Sequence, residues 1–314
     1  MMARQSLSFV SSSARFAAPW MTGVMLLYAV PILVLAVVSC TRWDGRSFST
    51  MQWVGAENFK RLLTDPGLRK AVLNSVTYTA MNVPAQLLAG LILALVIRRS
   101  RRVGLWATIY YLPHVLGGVA TILVWWWLLN PQIGPINSWL EALHDVVDRA
   151  ARAVGGSGLG AWSPPPWLYD PGWAKPSLVL MNIWQCGGGM LIILAALMRT
   201  DPAIEEAAMV DGAGRFSRFM SITLPQVSPA LLFNTLTGVI FSMQSFSEPM
   251  LLSNFQQQES LLFYSLYLYQ CAFERGQFGY AAAMAWALLG LLIAFTVSVV
   301  LLTRRWVQHE MESA

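Results

Sequence analysis

The sequence is poor in charged residues. Of its 314 residues only 12% are Asp, Glu, Lys or Arg, while 56% are hydrophobic. A soluble domain carries about twice that charged fraction, so the composition excludes a soluble globular protein and indicates an integral membrane protein. Cysteine and histidine are also scarce, with three of each. The histidines His114, His144 and His309 are widely scattered and no two cysteines have metal-ligand spacing, which argues against a membrane-embedded enzyme.

Six long stretches contain no Asp, Glu, Lys or Arg at all. Each is long enough to cross a bilayer as a helix, and none shows the alternation of a transmembrane β-barrel. Because lipid offers the backbone no hydrogen-bond partners, the sequence predicts an all-α integral membrane protein with six transmembrane helices. The first stretch is too long for a cleaved signal peptide and is interpreted as a retained helix. The predicted spans lie near 17–41, 71–97, 105–129, 176–198, 225–247 and 279–303.

The arginines give these spans an orientation. The alternate segments 1–16, 98–104, 199–224 and 304–314 hold 11 of the 21 basic residues and six of the 16 acidic ones. The positive-inside rule therefore predicts that both termini, 1–16 and 304–314, are cytoplasmic tails. The pI of about 9.3 follows from this topology, since basic runs beside spans attract anionic lipids, and it does not indicate nucleic acid.

On the other side of the membrane the sequence leaves three questions open. Cys40 and Cys271 both lie near outer span ends, where they either form a disulfide or pack as small apolar residues. The run Trp125–Trp127 is interpreted as an interfacial aromatic belt, with a sugar-stacking platform as the alternative. The loop 130–175 is long enough to be functional, and residues 138–153 in it have helical spacing.

A polar hairpin at 200–224 separates the fourth and fifth spans. Asp201-Pro202 is typical of a helix start, with Asp as N-cap and Pro at the first helical position. Gly212 or Gly214 can end that helix in the left-handed conformation, and a second short helix is predicted over about 215–224. The hairpin thus predicts a helix-turn-helix outside the bilayer, whose alanine-rich face allows another protein to approach closely.

These residues resemble the EAA loop of ATP-binding-cassette (ABC) importer permeases. The match comprises Glu206-Ala207-Ala208, Asp211-Gly212-Ala213, Phe219, Ile222 and Leu224-Pro225. Further stretches resemble sugar permeases of the maltose and glycerol-phosphate type, and the N-terminal layout resembles the first of the two permease subunits in such systems. They are Val54–Phe59, Tyr111-Leu112-Pro113, Trp126–Pro131 and Phe278–Ala283.

The resemblance implies a type I ABC importer permease fold in a bacterial cytoplasmic (inner) membrane. It implies a second permease subunit, two cytoplasmic ATPase subunits and an external solute-binding protein as partners. The EAA loop is then a coupling helix that docks on the ATPase, with Glu206 as its charged contact. ATP and Mg²⁺ are expected on the ATPase and no cofactor on this chain, which has no Walker phosphate loop. The residues expected to couple to the ATPase are Glu205, Glu206, Ala207, Ala208, Asp211, Gly212, Ala213, Arg215 and Phe219.

The translocated solute is expected to meet polar side chains inside the spans, which are costly unless they face the bundle interior. Each of these polar residues can instead form a hydrogen bond between helices. Gly187-Gly188-Gly189 can unwind span four beside the pathway or allow close packing, while His114 is interpreted as a core residue. The pathway candidates are Asn182, Trp184, Gln185, Gln244, Ser245 and Glu248, with Ser247 beside them and Asn74, Asn82 and Gln86 as weaker ones.

Two departures from the sugar-permease pattern leave the solute open. After span five the sugar permeases often have a Thr-Gly-Gly-Gly-Pro run, whereas this chain has Leu252–Gln258. They also commonly have an Asp near the position of Phe246, whereas this chain has Glu248-Pro249 two residues later. The expected function is that of a permease subunit for a sugar, polyol or oligosaccharide. The alternatives are an ABC permease for an amino acid, a phosphate ester or a metal, or a secondary transporter, which would need charged residues in its spans.

Overall fold

The computed structural model describes residues 17–199, 201–256 and 259–311. The predicted N-terminal tail 1–16 lies outside the described residues. The same holds for Thr200 in the hairpin, for Gln257 and Gln258, and for residues 312–314 at the end of the predicted C-terminal tail.

The described residues form fourteen α-helices and one two-stranded antiparallel ladder, with short 3₁₀ and π turns between them. The ladder joins β1 (Thr41–Arg42) to β2 (Gln52–Trp53). The helices are α1 (Ala17–Ser39), α2 (Glu57–Leu62), α3 (Pro66–Arg98), α4 (Val103–Val115), α5 (Val119–Leu128), α6 (Pro135–Ala153), α7 (Pro171–Trp184), α8 (Gly187–Met198), α9 (Pro202–Val210), α10 (Arg215–Arg218), α11 (Leu224–Met243), α12 (Ser247–Gln256), α13 (Tyr264–Tyr269) and α14 (Phe278–Met311).

Among the described residues, four helical stretches are long and apolar enough to cross a membrane. Two further pairs of helices pass the same test but are bent, so that counting each pair as one span gives six. This upper count equals the six spans expected from the sequence. The four stretches are Ala17–Ser39, Pro66–Arg98, Arg215–Leu252 and Phe278–Leu302, and the bent pairs are α4 with α5 and α7 with α8.

Span three, predicted as one helix over 105–129, is broken. Helices α4 and α5 meet at an angle of 95°. Pro113 lies in the last turn of α4 and has no N–H to donate, and Gly118 adopts a left-handed φ of 86°, which glycine tolerates without a steric penalty. The predicted third span thus corresponds to two helices, because these residues end one helix and start another.

Span four is also two helices, bent by 49° at Gln185 and Cys186. The glycine run Gly187–Gly189 begins α8 directly after the bend. The sequence offered two roles for this run, a helix break or close packing, and the structure has both. A Cβ on Gly187 would lie 2.5 Å from the carbonyl oxygen of Tyr110 in α4, so the two helices approach closely at this glycine. The helix breaks beside the glycines, and the glycines allow α4 and α8 to pack closely.

The remaining spans differ from the sequence prediction in smaller ways. In α1 a π-helical turn over Met25–Ala29 precedes Pro31, since the proline leaves an upstream carbonyl without its usual N–H donor. The second helix of the hairpin begins at Arg215 and continues through a π turn, Phe219–Thr223, into α11. Helix α14 continues beyond the predicted span to Met311.

The chain divides into two compact units. The first unit comprises Met1–Pro66 and Leu268–Phe295, and the second comprises Gly67–Tyr267 and Thr296–Ala314. In the first unit, Asn58 Nδ2 donates hydrogen bonds to the carbonyl oxygens of Ser39 (2.9 Å) and Thr41 (2.8 Å). Asn58 thereby holds α2 against the end of α1, which gives the Val54–Phe59 stretch a structural role.

The start of α14 completes the first unit. Tyr280 Oη donates to Asp65 Oδ2 at 2.7 Å, and the guanidinium of Arg61 lies 4.0 Å from the centre of the Tyr280 ring. A Cβ on Gly279 would collide with the carbonyl oxygen of Thr41. Gly279 and Tyr280 therefore serve packing within this unit.

The second unit has two buried apolar clusters. One includes Trp125, which is 9% exposed and packs edge-on against Trp184 with ring centres 5.9 Å apart. The belt interpretation is therefore wrong for Trp125, whereas Trp127 is 49% exposed. The other cluster lies between the later halves of α3 and α8 and the start of α11, and consists of Ala94, Ile97, Met190, Ile193, Leu194, Leu197 and Val227.

The long outer loop is largely ordered by α6, which covers the helix predicted over 138–153. Asp148 Oδ1 accepts a hydrogen bond from the Leu159 peptide N–H at 2.6 Å, and Arg152 pairs with the same carboxylate at 2.9 Å. These contacts hold the pKa of Asp148 below its ordinary value, the Leu159 hydrogen bond most of all. The three cysteines, all within the described part of the chain, are free thiols.

Candidate functional site

A cavity of about 780 Å³ lies within the second unit. Its walls come from the middle of α3, the bend between α7 and α8, the helix α11 and the start of α12. The bend matters for the site because it brings the side chain of Gln185 and the backbone of Gly188 and Gly189 to the cavity surface. The volume is in the range of ordinary small-molecule pockets, about 300–1,000 Å³.

Most of the polar residues predicted from the sequence meet at this cavity. Two do not. Trp184 packs against Trp125 and does not line the cavity, and Asn74 Nδ2 donates to the carbonyl oxygens of Glu259 (2.9 Å) and Leu262 (3.1 Å). The predicted residues that line the cavity are Asn82, Gln86, Asn182, Gln185, Gln244, Ser245, Ser247 and Glu248.

Several of the cavity amides also join helices. Asn182 Nδ2 donates to Tyr78 Oη at 2.9 Å, and Gln86 Nε2 donates to the carbonyl oxygen of Asn182 at 3.2 Å. Asn82 Nδ2 donates to Ser242 Oγ at 2.9 Å, while the buried Asn82 Oδ1 has no hydrogen-bond partner among the described residues. For these residues the alternative of a helix–helix hydrogen bond is realised together with the position in the cavity.

Gln185 and Gln244 differ from these amides. No hydrogen bond from either side chain is found within the described part of the chain, although both line the cavity. Each terminal amide has two N–H donors and a carbonyl acceptor. These groups can therefore hydrogen-bond to a molecule inside the cavity without first breaking a helix–helix contact.

Three residues of the cavity wall were not among those predicted from the sequence. Asn234, Thr237 and Phe241 line the cavity from α11, and their spacing places them on one face of that helix. The presence of Asn and Thr at i and i+3 in a span was the signal that could have identified this face. Asn234 Nδ2 also donates to the carbonyl oxygen of Gly189 at 3.1 Å, which joins α11 to α8.

His114 is not the core residue that the sequence suggested. It is exposed on the cavity side, and its Nδ1 lies 3.2 Å from the carbonyl oxygen of Gln185. That carbonyl lies at the bend of span four, so the imidazole contacts backbone at the helix break. The imidazole also stacks in a tilted arrangement on Tyr111, with ring centres 5.5 Å apart.

The cavity holds a single carboxylate. Among the described residues that line it, Glu248 is the only Asp or Glu, and there is no Lys or Arg. Ser245 Oγ donates to Glu248 Oε2 at 2.9 Å. The lining can therefore exchange many neutral hydrogen bonds with a solute, and its described part has no Lys or Arg to pair with an anionic group.

The hairpin at 200–224 forms the second candidate site, and its helix α9 has the predicted caps. Asp201 Oδ1 accepts from the Ala203 peptide N–H at 2.9 Å, and Pro202 occupies the first helical position. At the other end Gly212 has a φ of 81°, whereas Gly214 has a φ of −65°. The predicted left-handed cap is therefore Gly212.

Several of the predicted coupling residues lie on the exposed surface of the hairpin. They are Glu206, Ala207, Asp211, Gly212 and Arg215. Sequence reasoning left out two large apolar residues on the same hairpin, Val210 (88% exposed) and Phe216 (72% exposed). Val210 lies outside the stretches that can cross a membrane, and an exposed apolar side chain there is typical of a protein–protein contact. Phe216 lies in the first turn of the Arg215–Leu252 stretch. The remaining predicted coupling residues, Glu205, Ala208, Ala213 and Phe219, are only partly exposed.

Glu205 has a partner inside the chain. Arg98, the last residue of α3, donates from Nη1 to Glu205 Oε1 at 2.9 Å. The two side chains are 21% and 29% exposed. The arrangement separates adjacent glutamates, with Glu205 held against α3 and Glu206 on the exposed side.

The chain is similar to known components of membrane transport systems. A family model described as "Binding-protein-dependent transport system inner membrane component" matches residues 66–308. The chain is 30% identical over 299 residues to the "Probable ABC transporter permease protein YesP" of Bacillus subtilis, covering 94% of this chain and 91% of that protein. It is 31% identical over 283 residues to the "Lactose transport system permease protein LacF" of Rhizobium radiobacter, with coverages of 87% and 88%.

A more distant relative and two solved structures complete the comparison. The "Sulfoquinovosyl glycerol transport system permease protein SmoG" of Agrobacterium fabrum is 28% identical over 281 residues, covering 86% of this chain and 83% of that protein. A crystal structure of a bacterial ABC transporter that imports alginate has a TM-score of 0.73 at 20% identity, covering 97% of this chain and 99% of that one. A second, with an alginate pentasaccharide-bound periplasmic protein, has a TM-score of 0.74 at 21% identity, with coverages of 96% and 96%. The structures share the fold.

Proposed function

Because this chain belongs to the family of inner-membrane components of binding-protein-dependent transport systems, we propose that it forms part of the pathway by which an ATP-driven importer translocates a sugar. It is a membrane-spanning ABC permease subunit. The proposed solute is a sugar or a related polyol or oligosaccharide, delivered by an external solute-binding protein. The relatives named for lactose and sulfoquinovosyl glycerol transport support this class of solute.

The observation that carries the proposal is the lining of the cavity. A sugar presents many hydroxyl groups, each of which donates and accepts, together with apolar C–H faces. The cavity offers matching groups, since its amides and hydroxyls also donate and accept and aromatic rings such as Phe233 and Phe241 face it from α11. An amino acid or phosphate ester would call for a cation, and Lys and Arg are missing from the described lining.

The hairpin is the proposed contact with the ATPase. Helix α9 would dock in a cleft of a cytoplasmic ATPase subunit through its exposed face, which includes Glu206, Ala207 and Val210. ATP and Mg²⁺ would be bound by that partner and not by this chain. For ATP to drive transport, its binding must favour one conformation of the permease over the other. The contact between the hairpin and the ATPase would transmit that preference to the permease.

The proposed assembly contains a second permease subunit, two ATPase subunits and the external binding protein. The proposed orientation has both termini in the cytoplasm of a bacterial cell and the chain in its inner membrane, and the arginine-rich loop at 98–104 supports it through the positive-inside rule. Labelling a Ser100→Cys variant of a cysteine-free chain with an impermeant maleimide tests this orientation. Label reaching that cysteine from outside intact cells would contradict it.

The function is tested by uptake into proteoliposomes. The complex is reconstituted with the second permease, the ATPase and the binding protein encoded with it, and loaded with ATP. Radiolabelled lactose, raffinose, glycerol 3-phosphate and histidine are then supplied with the binding protein. We expect ATP-dependent accumulation of a neutral saccharide and no accumulation in vesicles loaded with a non-hydrolysable ATP analogue.

Two results would contradict the proposal. Accumulation of histidine or glycerol 3-phosphate, with none of lactose, raffinose or a wider set of saccharides, would remove the sugar assignment. Accumulation driven by a proton or sodium gradient without ATP would instead make the chain a secondary transporter.

A further inference from the structure

The ion pair between Arg98 and Glu205 joins two elements that are far apart in sequence. Arg98 ends α3, and Glu205 lies in the first turn of α9. Their contact at 2.9 Å is a direct charge-assisted hydrogen bond. Both side chains are less than a third exposed, so solvent screens this pair less than an ordinary surface ion pair.

The helix ends reinforce the pair. A cation is favourable at the C-terminus of α3, and an anion is favourable at the N-terminus of α9, because each opposes the partial charge of its own helix end. The pair thus brings together two ends of opposite partial charge. Arg99, the next residue, is exposed and has no ion pair among the described residues, so the contact is specific to one of two adjacent arginines.

Helix α3 connects this contact to the cavity. It is a single helix of 33 residues, and Gln86 on the cavity wall lies 12 positions before Arg98, a distance of roughly 18 Å along the axis. Between these points α3 packs closely on α8, since a Cβ on Gly90 would lie 3.4 Å from the backbone nitrogen of Met190. The end of α3 and the wall of the cavity thus belong to one closely packed pair of helices.

Helix α9 has a covalent connection to α8 through the short segment 199–201. At its other end α9 continues through 211–214 into α10. Neither of these short segments belongs to α3. The ion pair adds a contact with a third helix, one turn into α9, and so restricts how α9 can rotate relative to α3.

We propose that Arg98 and Glu205 are positioning residues that attach the coupling helix α9 to α3, so that movement of α9 is transmitted to the cavity wall. This assignment rests on the proposed function. It changes the role expected for Glu205, which holds α9 in place from within the chain, and leaves Glu206 as the glutamate that faces the ATPase.

The test is charge reversal in the reconstituted importer. Arg98→Glu and Glu205→Arg are made singly and together, and the solute taken up per ATP hydrolysed is measured in proteoliposomes with the saccharide that the wild-type complex accumulates. Either single change places like charges together and is expected to lower that ratio by roughly tenfold, within the range of typical coupling between sites. The double variant restores opposite charges and is expected to recover most of the ratio.

Arg99→Glu is the matched control, because it makes the same change of charge one residue later. We expect its ratio to stay close to that of the wild type. If a reversal prevents assembly, Arg98→Gln and Glu205→Gln remove the pair without creating repulsion, and each is expected to lower the ratio. Co-purification of the ATPase with every variant separates loss of coupling from loss of assembly.

Three results would overturn the inference. One is a double variant that assembles but stays as poorly coupled as the single variants. Another is a Glu205→Arg complex that loses the ATPase while Arg98→Glu keeps both ATPase and coupling, since Glu205 would then contact the ATPase itself. The third is a wild-type complex without ATP-driven uptake of any solute, which would remove the proposed function as well.

Discussion

At the scale of single residues, the cavity amides divide into two groups by their hydrogen bonds. Asn82, Asn182 and Asn234 donate to groups on neighbouring helices, so they stabilise the bundle as well as line the cavity. Gln185 and Gln244 have no such bond among the described residues, although both face the same space. The two groups are therefore expected to respond differently to substitution.

We predict that Gln244→Ala lowers the rate of saccharide uptake, by about fivefold for one lost neutral hydrogen bond of about 1 kcal/mol, and leaves the thermal unfolding temperature of the purified complex unchanged. Asn182→Ala should instead lower that temperature by several degrees, because the buried Tyr78 hydroxyl loses its partner. Uptake assays and thermal unfolding in detergent measure the two effects. A lowered unfolding temperature for Gln244→Ala with normal uptake would contradict this division.

How far single residues could be predicted depended on the range of their contacts. A polar side chain inside a span suggests an interior position, and Asn182, Gln185 and Glu248 do line the cavity. Trp184 lies elsewhere, packed against Trp125, since an aromatic residue in a span can also be part of the core. Their role in the pathway stays a prediction. The pairing of Arg98 with Glu205 depends on tertiary structure across 107 positions, and no local pattern reports it.

At the scale of elements, the helix breaks shape the site. Pro113 and the Gly117-Gly118 pair, and then Gly187–Gly189, were all visible in the sequence. Such residues show where a helix can break or pack closely, but the angles of 95° and 49° follow from contacts with neighbouring helices. The caps of α9 were more predictable, since Asp201 and Gly212 act through bonds within a few residues.

We predict that Gly187→Ala weakens the packing of α8 on α4. The added methyl group would lie 2.5 Å from the Tyr110 carbonyl oxygen and 2.8 Å from the Tyr111 Cα, both of them backbone atoms. Overpacking of this kind costs about 1–3 kcal/mol, so the unfolding temperature should fall and uptake should decrease. Gly290→Ala is the control, since its Cβ would meet nothing within 4 Å in helix α14. Equal behaviour of the two variants would contradict the close approach of α4 and α8.

At the scale of the whole molecule, low charge and span spacing were sufficient to predict an all-α membrane protein. The family was predicted from the resemblance of the hairpin residues to the EAA loop, and the family match confirms it. The two-unit organisation was not predicted, because it depends on Asn58, Gly279 and Tyr280 bringing the outer segment and the start of α14 together. The identity of the solute follows from no local pattern, since it depends on how several side chains surround one cavity.

We propose that this chain couples ATP hydrolysis, through the exposed face of α9, to movement of a saccharide through the cavity. This coupling is measured as the number of saccharide molecules accumulated per ATP hydrolysed by the reconstituted complex, compared between the wild type and Glu206→Lys. We expect ATP-driven accumulation by the wild type, and a Glu206→Lys complex that remains in the membrane while its ratio falls by roughly tenfold or more. An unchanged ratio in an assembled Glu206→Lys complex would contradict the claim.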